Sequence, residues 1–185
     1  MGTPIPFLTG ERLILRILDV SDCEGSYPEW LNDPEVSKFN SHHVLPYDRE
    51  AAKDYVAGLR NRRDALVLAI VSRSDNVHIG NIALDRINLL HGTAELTIMI
   101  GSKPHWNKGL SKEAASLLCR HGFESLNLHR IECATRADNQ GMRKLAEYLG
   151  MRQEGNRRQA VLKEGTRHDL VEYGVLRDEF YAKFK

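Results

Sequence analysis

The residues with the plainest capacity for chemistry lie between Ile98 and Ser111. An aliphatic run ends at Gly101, a loop follows through Lys103-Pro104-His105-Trp106-Asn107-Lys108, and Gly109-Leu110-Ser111 opens a helical stretch. The first backbone N–H groups of a helix have no intrahelical partner and sit at the positive end of its dipole, so a strand, a glycine-bearing loop and a helix start together make an anion site. Gly109 lets the backbone approach an anion closely, and Lys108 and Lys112 add charge. A plain helix start is the alternative reading of the same residues. Neither a Walker loop nor a dinucleotide fingerprint is present: G-x-x-x-x-G-K-[ST] is absent and only one glycine of G-x-G-x-x-G is matched. His42 and His43 stand together without a third ligand at metal spacing, so no metal is expected.

These residues need elements to hold them. Residues 11 to 18 read as a strand, and a helix capped by Ser21 or Asp22 is expected to run through Trp30 and Leu31, with Pro34 opening another short helix. Residues 40 to 47 read as a loop. Asp48 can cap a helix over about 49 to 62, whose Ala52, Tyr55, Val56 and Leu59 share a face. Ala65–Ser72, His78–Asn88 and Ala94–Ile100 read as a three-strand antiparallel meander. A helix over Asn107–Leu126, a strand over Arg130–Thr135 and a helix over Asn139–Leu149 follow, with Gly150 placed for a left-handed C-terminal cap. Strands near 157–163 and 168–176 close the chain ahead of a short amphipathic tail. This order implies a mixed sheet with helices on both faces.

Composition excludes several classes. At 185 residues one domain is expected, and 26 Lys plus Arg against 25 Asp plus Glu leave a net charge of +1. A general nucleic-acid binder would carry a marked basic excess, so no nucleic-acid partner is expected. No apolar stretch approaches the roughly 20 residues that cross a bilayer, and no targeting signal is visible, so neither membrane nor secretion is expected. Cys23, Cys119 and Cys133 are odd in number, widely spaced and free of CxxC, and read as buried thiols of a cytoplasmic protein.

Four stretches in order then carry a resemblance: Ala94-Glu95-Leu96-Thr97-Ile98-Met99-Ile100; Trp106-Asn107-Lys108-Gly109-Leu110-Ser111-Lys112-Glu113-Ala114; His129-Arg130-Ile131-Glu132; and Asn139 through Leu145 to Leu149-Gly150-Met151. Together they resemble the GNAT superfamily of acyl-CoA-dependent N-acyltransferases. The opening Thr9-Gly10-Glu11-Arg12-Leu13-Ile14-Leu15-Arg16, the Trp30-to-Val36 stretch and the ending Gly165-to-Val171 are similar to the branch that holds ribosomal-protein N-terminal, polyamine and amino-sugar acetyltransferases. The resemblance covers essentially the whole chain. It implies one α/β (α+β) domain over residues 1–185, with a mixed, mostly antiparallel sheet of about seven strands flanked by helices on both faces. Homodimers, common in this branch, are a further expectation.

For the site, the resemblance implies a splayed strand whose free backbone groups at Ile98, Met99 and Ile100 pair with the pantetheine arm. Trp106, Asn107, Lys108, Gly109, Leu110 and Ser111, with Lys112 beside them, would cradle the coenzyme A pyrophosphate. Trp106 departs from the family's Gln or Arg, and Ser111 from its last small residue. Asn139 matches the asparagine that contacts the coenzyme arm, and it also suits a helix N-cap. The tyrosine that many members place seven residues later is here Ala146, and the branch's serine three residues later is Met142, so neither usual proton donor is present. Tyr148 cannot substitute, since two residues turn a helix by ~200°. Glu95 and Glu132 are the candidate bases, with His105, His129 and Tyr148 behind them.

The acceptor wall is expected from Trp30, Asn32, Phe39, His43 and their neighbours His42 and Tyr47, with Arg157, Arg158 and Arg167 opposite. The implied activity is acetyl transfer from acetyl-CoA, with no metal, to a primary amine in a ternary complex. A protein N-terminal α-amine or an amino sugar fits this weak acid–base equipment better than a polyamine. The alternative is a non-catalytic acyl-CoA-binding regulatory module of the same fold.

Overall fold

The computed structural model describes residues 5–40 and 44–184. In chain order the elements are β1 (Leu8–Thr9), β2 (Leu13–Ile17), a 3-10 turn (Val20–Glu24), α1 (Tyr27–Asn32), α2 (Arg49–Leu59), β3 (Leu66–Ser72), β4 (His78–Asn88) and β5 (Thr93–Ile100). A second 3-10 turn (Lys103–His105) leads to α3 (Leu110–Glu124), β6 (Arg130–Arg136), α4 (Gln140–Tyr148), β7 (Arg152–Lys163), β8 (Thr166–Leu176) and α5 (Arg177–Lys183). The eight strands form one sheet in the order β1-β2-β3-β4-β5-β6-β8-β7. That is one strand beyond the expected seven, because the two-residue β1 is too short to leave a pattern. Every pairing is antiparallel except β5 with β6.

The two faces of the sheet bury separate cores, as the element order implies. One holds Leu13, Leu68, Ile82, Leu96 and Ile131 with Leu118, Phe123, Leu145 and Phe180 of α3, α4 and α5. The other holds Ala69 with Cys23, Tyr27, Trp30, Leu31, Ala52 and Val56 from the first turn, α1 and α2. β3, buried on both faces, is a run of aliphatics rather than an alternation. Asp48 caps α2 by accepting from the Ala51 amide at 2.8 Å, and Gly150 takes the left-handed φ of 83° after α4.

The first helical region differs from expectation. One helix from Ser21 to Leu31 is instead a 3-10 turn capped by Asp19 and a separate α1. Gly25 ends the first piece, and Pro28, which has no N–H to donate, fits only the first turn of the next. The segment after Pro34 makes turns rather than a helix.

An ion cluster fastens these pieces to the sheet. Arg16 of β2 grips Asp22 with both terminal guanidinium nitrogens at 2.7 and 2.6 Å, and His78 Nδ1 lies 3.4 Å from the same carboxylate. Burial pushes His78 below its ordinary value, against the pull of Asp22. The folded protein therefore leaves His78 neutral at a pH where the unfolded chain protonates it, and stability is lost as pH falls below about 6.5. Thermal melts between pH 7.5 and pH 5 are expected to show this fall, with a shallower slope in His78→Gln.

Candidate active site

β5 and β6 pair only from Thr93 to Glu95 against Arg130 to Glu132. Beyond that point β5 stays with β4 as far as Ile100, while β6 follows β8 as far as Arg136. The strands part, and a cleft of about 800 Å³ opens between them. Leu96, Ile98, Ser111, Asn139, Met142 and Leu145 line its side toward α3 and α4, and Phe39, Asn40, Met99, Arg136 and Lys163 line it elsewhere. Among the described residues, the edge of β5 from Thr97 onward has no strand partner on the cleft side. The carbonyl of Ile100 is already used, however: it accepts the indole N–H of Trp106 at 2.7 Å. Of the three residues expected to offer free backbone, Ile98 and Met99 sit on this unpartnered edge and Ile100 has its oxygen occupied.

The loop from Trp106 to Ser111 stands at one end of the cleft. Asn107 and Gly109 both have positive φ, 59° and 75°, and Gly109 is the N-cap of α3 with only Arg12 near the place a Cβ would take. Two left-handed residues turn the chain so that the amides of Gly109, Leu110 and Ser111 precede the helix's own carbonyl acceptors, a fit for a pyrophosphate. Lys112 lies over the Tyr148 ring at 4.9 Å. Leu110 is buried against the core, so it contributes its backbone alone.

Asn139 caps α4, accepting from the Met142 amide at 3.2 Å and donating to Thr135 Oγ1 at 2.9 Å. It does so on the cleft wall, so cap and coenzyme contact are compatible. Asn139→Ala is expected to cost about 1 kcal/mol of stability, read as a lowered melting temperature, and to weaken coenzyme binding in calorimetry.

The two carboxylates meet at the fork. Glu95 and Glu132 are register partners on adjacent strands, on the face opposite the α3 core, where like charges side by side repel. Arginines separate them. Arg86, held at φ 50° beside a bulge in β4, pairs with Glu95, while Arg130 reaches Glu132 at 3.2 Å and pairs with Glu154 at 2.7 Å. Arg157 lies 3.6 Å from Glu172 on the same wall. Glu95 is mostly enclosed and Glu132 half-exposed.

Other expected residues are placed elsewhere. Trp30 is buried against Gly101 and His78, away from the residues that line this cleft. Asn32 spends its side chain on the Tyr47 backbone, accepting at 2.9 Å. Phe39 does line the cleft, stacked under Arg136 at 5.2 Å. His42 and His43 lie outside the described residues. His105 bonds Ser102 and Asp75, Tyr148 packs on Lys112 and Phe184, and neither they nor His129 line the cleft. Ala146 is fully buried and offers no hydroxyl at that position of α4. Cys133 lies with Sγ 3.5 Å from Met151 Sδ and is pushed up to about 12 by burial, and burial raises Cys119 as well. Among the described residues no group of three His, Cys, Asp or Glu is arranged to hold a metal, and no helix is long and apolar enough to cross a membrane.

The profile of the acetyltransferase (GNAT) domain matches residues 12–152. A Bacillus licheniformis protein named uncharacterized N-acetyltransferase p20 is 30% identical over 174 residues, covering 92% of this chain and 96% of that one. Spermidine N-acetyltransferase from Vibrio cholerae, solved with CoA and spermine, is 21% identical with a TM-score of 0.83 over 93% of this chain and 99% of that one. RimL, a ribosomal L7/L12 alpha-N-protein acetyltransferase solved with CoA, is 19% identical with a TM-score of 0.85 over 95% and 99%. At those identities the two structures speak for the fold alone.

Proposed function

The chain belongs to the GNAT acetyltransferase family, and from that premise we propose that it transfers acetyl from acetyl-CoA to an α-amine of a protein N-terminus or to an amino sugar, in preference to a polyamine. The coenzyme's pyrophosphate is assigned to the Gly109–Ser111 amides and its arm to the open edge of β5.

The charge balance of the cleft carries the choice of acceptor. Each of its four carboxylates, Glu95, Glu132, Glu154 and Glu172, has an arginine partner, and five cations line the same wall: Arg86, Arg130, Arg136, Arg157 and Lys163. A polycation meets no carboxylate here that is without an arginine, and the balanced field gives it little attraction. An amine that arrives neutral needs neither. At pKa ~7.7–8.0 an α-amine is about 10–17% neutral at pH 7, whereas an amine at ~10.4 is about 0.04% neutral.

Attack on the thioester is direct in this reading, since the thiols of Cys119 and Cys133 are buried in the protonated form. A thiolate leaves a tetrahedral centre far more readily than an amine, so water can return its proton and positioning supplies much of the rate. Labelled acetyl-CoA offered at pH 7 with a free-N-terminal peptide, a nucleotide amino sugar and spermidine tests the proposal. Label on the peptide or the sugar supports it, and faster labelling of spermidine overturns it.

A further inference from the structure

The opening stretch Gly10-Glu11-Arg12 has no part in the site so far, yet it is bonded directly to the loop assigned to the coenzyme. Arg12 Nη1 donates to the carbonyl of Lys108 at 2.9 Å and Nη2 to that of Gly109 at 3.4 Å. Its backbone N–H and Nε donate to the two oxygens of Glu113 at 2.8 and 2.9 Å. Gly10 lies directly under that carboxylate, where a Cβ would overlap it. Arg73 in turn holds the carbonyls of Gly10 and Glu11, each at 2.9 Å, so the strap is itself braced.

Glu113 stands in the first turn of α3, the turn whose amides face the pyrophosphate. A carboxylate there satisfies the positive end of the helix in a protein without ligand, and it repels a phosphate that comes to the same place. The Lys108 carbonyl presents the same problem as a dipole, while that of Gly109 already points into the helix, accepting from the Lys112 amide at 3.1 Å. One guanidinium answers both: it holds the Lys108 carbonyl, adds a longer bond to that of Gly109, and draws the carboxylate to its own side.

We propose that Arg12 is a positioning residue for the pyrophosphate of the coenzyme, acting through the Lys108 and Gly109 carbonyls and by restraining Glu113. It makes no contact with the reacting atoms, and its effect falls on donor binding rather than on the chemical step. The inference rests on the assignment of the pyrophosphate to the Gly109–Ser111 amides.

Four proteins test it: the parent, Arg12→Met, Glu113→Gln, and the double variant. In Arg12→Met the KM for acetyl-CoA and the Kd for CoA are expected to rise about tenfold, with kcat and acceptor KM within about twofold. Glu113→Gln in that background is expected to recover most of the affinity, because it removes the repulsion Arg12 had restrained. S-acetylpantetheine, a donor without the pyrophosphate, is expected to show the same KM in parent and Arg12→Met. An unchanged Kd for CoA, an equal loss with S-acetylpantetheine, or no recovery in the double variant overturns the proposal. If Arg12→Met does not fold, Arg12→Lys replaces it: a lysine keeps the charge but grips one carbonyl at a time, and an intermediate rise in Kd is expected. Failure of the parent protein to bind CoA would instead refute the loop assignment, a distinct result.

Discussion

A Gly101→Ala protein is expected to melt roughly 6–12 °C below the parent and to bind CoA more weakly. Gly101 ends β5, and a methyl group on it would enter the Trp30 indole. Trp30 has nowhere to go: it is 6% exposed, packed edge-on to His78 at 5.0 Å and to Tyr27 at 6.1 Å, and belongs to the core that holds α1 on the sheet. Overpacking of this kind costs about 3 kcal/mol at the upper end, which for a chain of this length is about 2–4 °C per kcal/mol. Binding suffers with stability because the carbonyl of Ile100, one residue earlier, anchors Trp106 and so the start of the loop. Gly58→Ala is the control. That helical glycine has open space around it, and the change is expected to raise the melting temperature slightly. Thermal melts and calorimetry with CoA read both; a Gly101→Ala protein that melts with the parent would show that Trp30 can yield.

The second large effect is expected at Glu95. Replacement by glutamine should lower kcat/KM for an α-amine acceptor about 10²-fold at pH 7, the scale of losing a general base. The melting temperature should hold, because the Arg86 left behind is 74% exposed and finds water. Glu95 shares its face with Thr97 and Met99 on the side proposed for the acceptor, and Arg86, kept in a left-handed conformation, pairs with its carboxylate. Glu132 is half-exposed beside Arg130, and Glu132→Gln should cost about threefold or less. The loss in Glu95→Gln should shrink toward pH 9, where about nine-tenths of an α-amine is already neutral. A larger loss in Glu132→Gln would move the base to β6, and no loss in either would leave the proton to water.

Much of this architecture was legible in local pattern. β3, β4, β5 and the helices α2, α3 and α4 declare themselves by apolar period and by caps at Asp48, Asn139 and Gly150, and each forms where its pattern lies. The geometry of the loop proposed for the coenzyme was legible because glycine and helix start are neighbours in sequence. What escaped depends on partners far along the chain. Trp30 looked like an acceptor-wall residue because an aromatic in a short helix carries no sign that Gly101, seventy-one positions on, is bare to receive it. Asn32 looked available because its bonds to Tyr47 span a loop. Arg12 was visible only as part of a motif. Arg86 could have been found: the turn at His91-Gly92 folds β4 onto β5 and places Asp85 opposite Glu95, which brings the next residue within reach of it.

The fork between β5 and β6 has a consequence for how the molecule assembles. Only three residue pairs of parallel ladder join a sheet half made of β1 to β5 to one made of β6 to β8, whereas four of the six pairings within the halves join consecutive antiparallel strands through short links. Hairpins close early, while a parallel join must wait for α3 to bring its ends together. The two halves are therefore expected to behave as separate protection units in hydrogen exchange, with the join the first ladder to open. A ligand that lies along the join touches both units at once. Saturation with CoA should then slow exchange in β5 and β6 more than in β2 or β3, making the coenzyme a clasp across the sheet as well as a reactant.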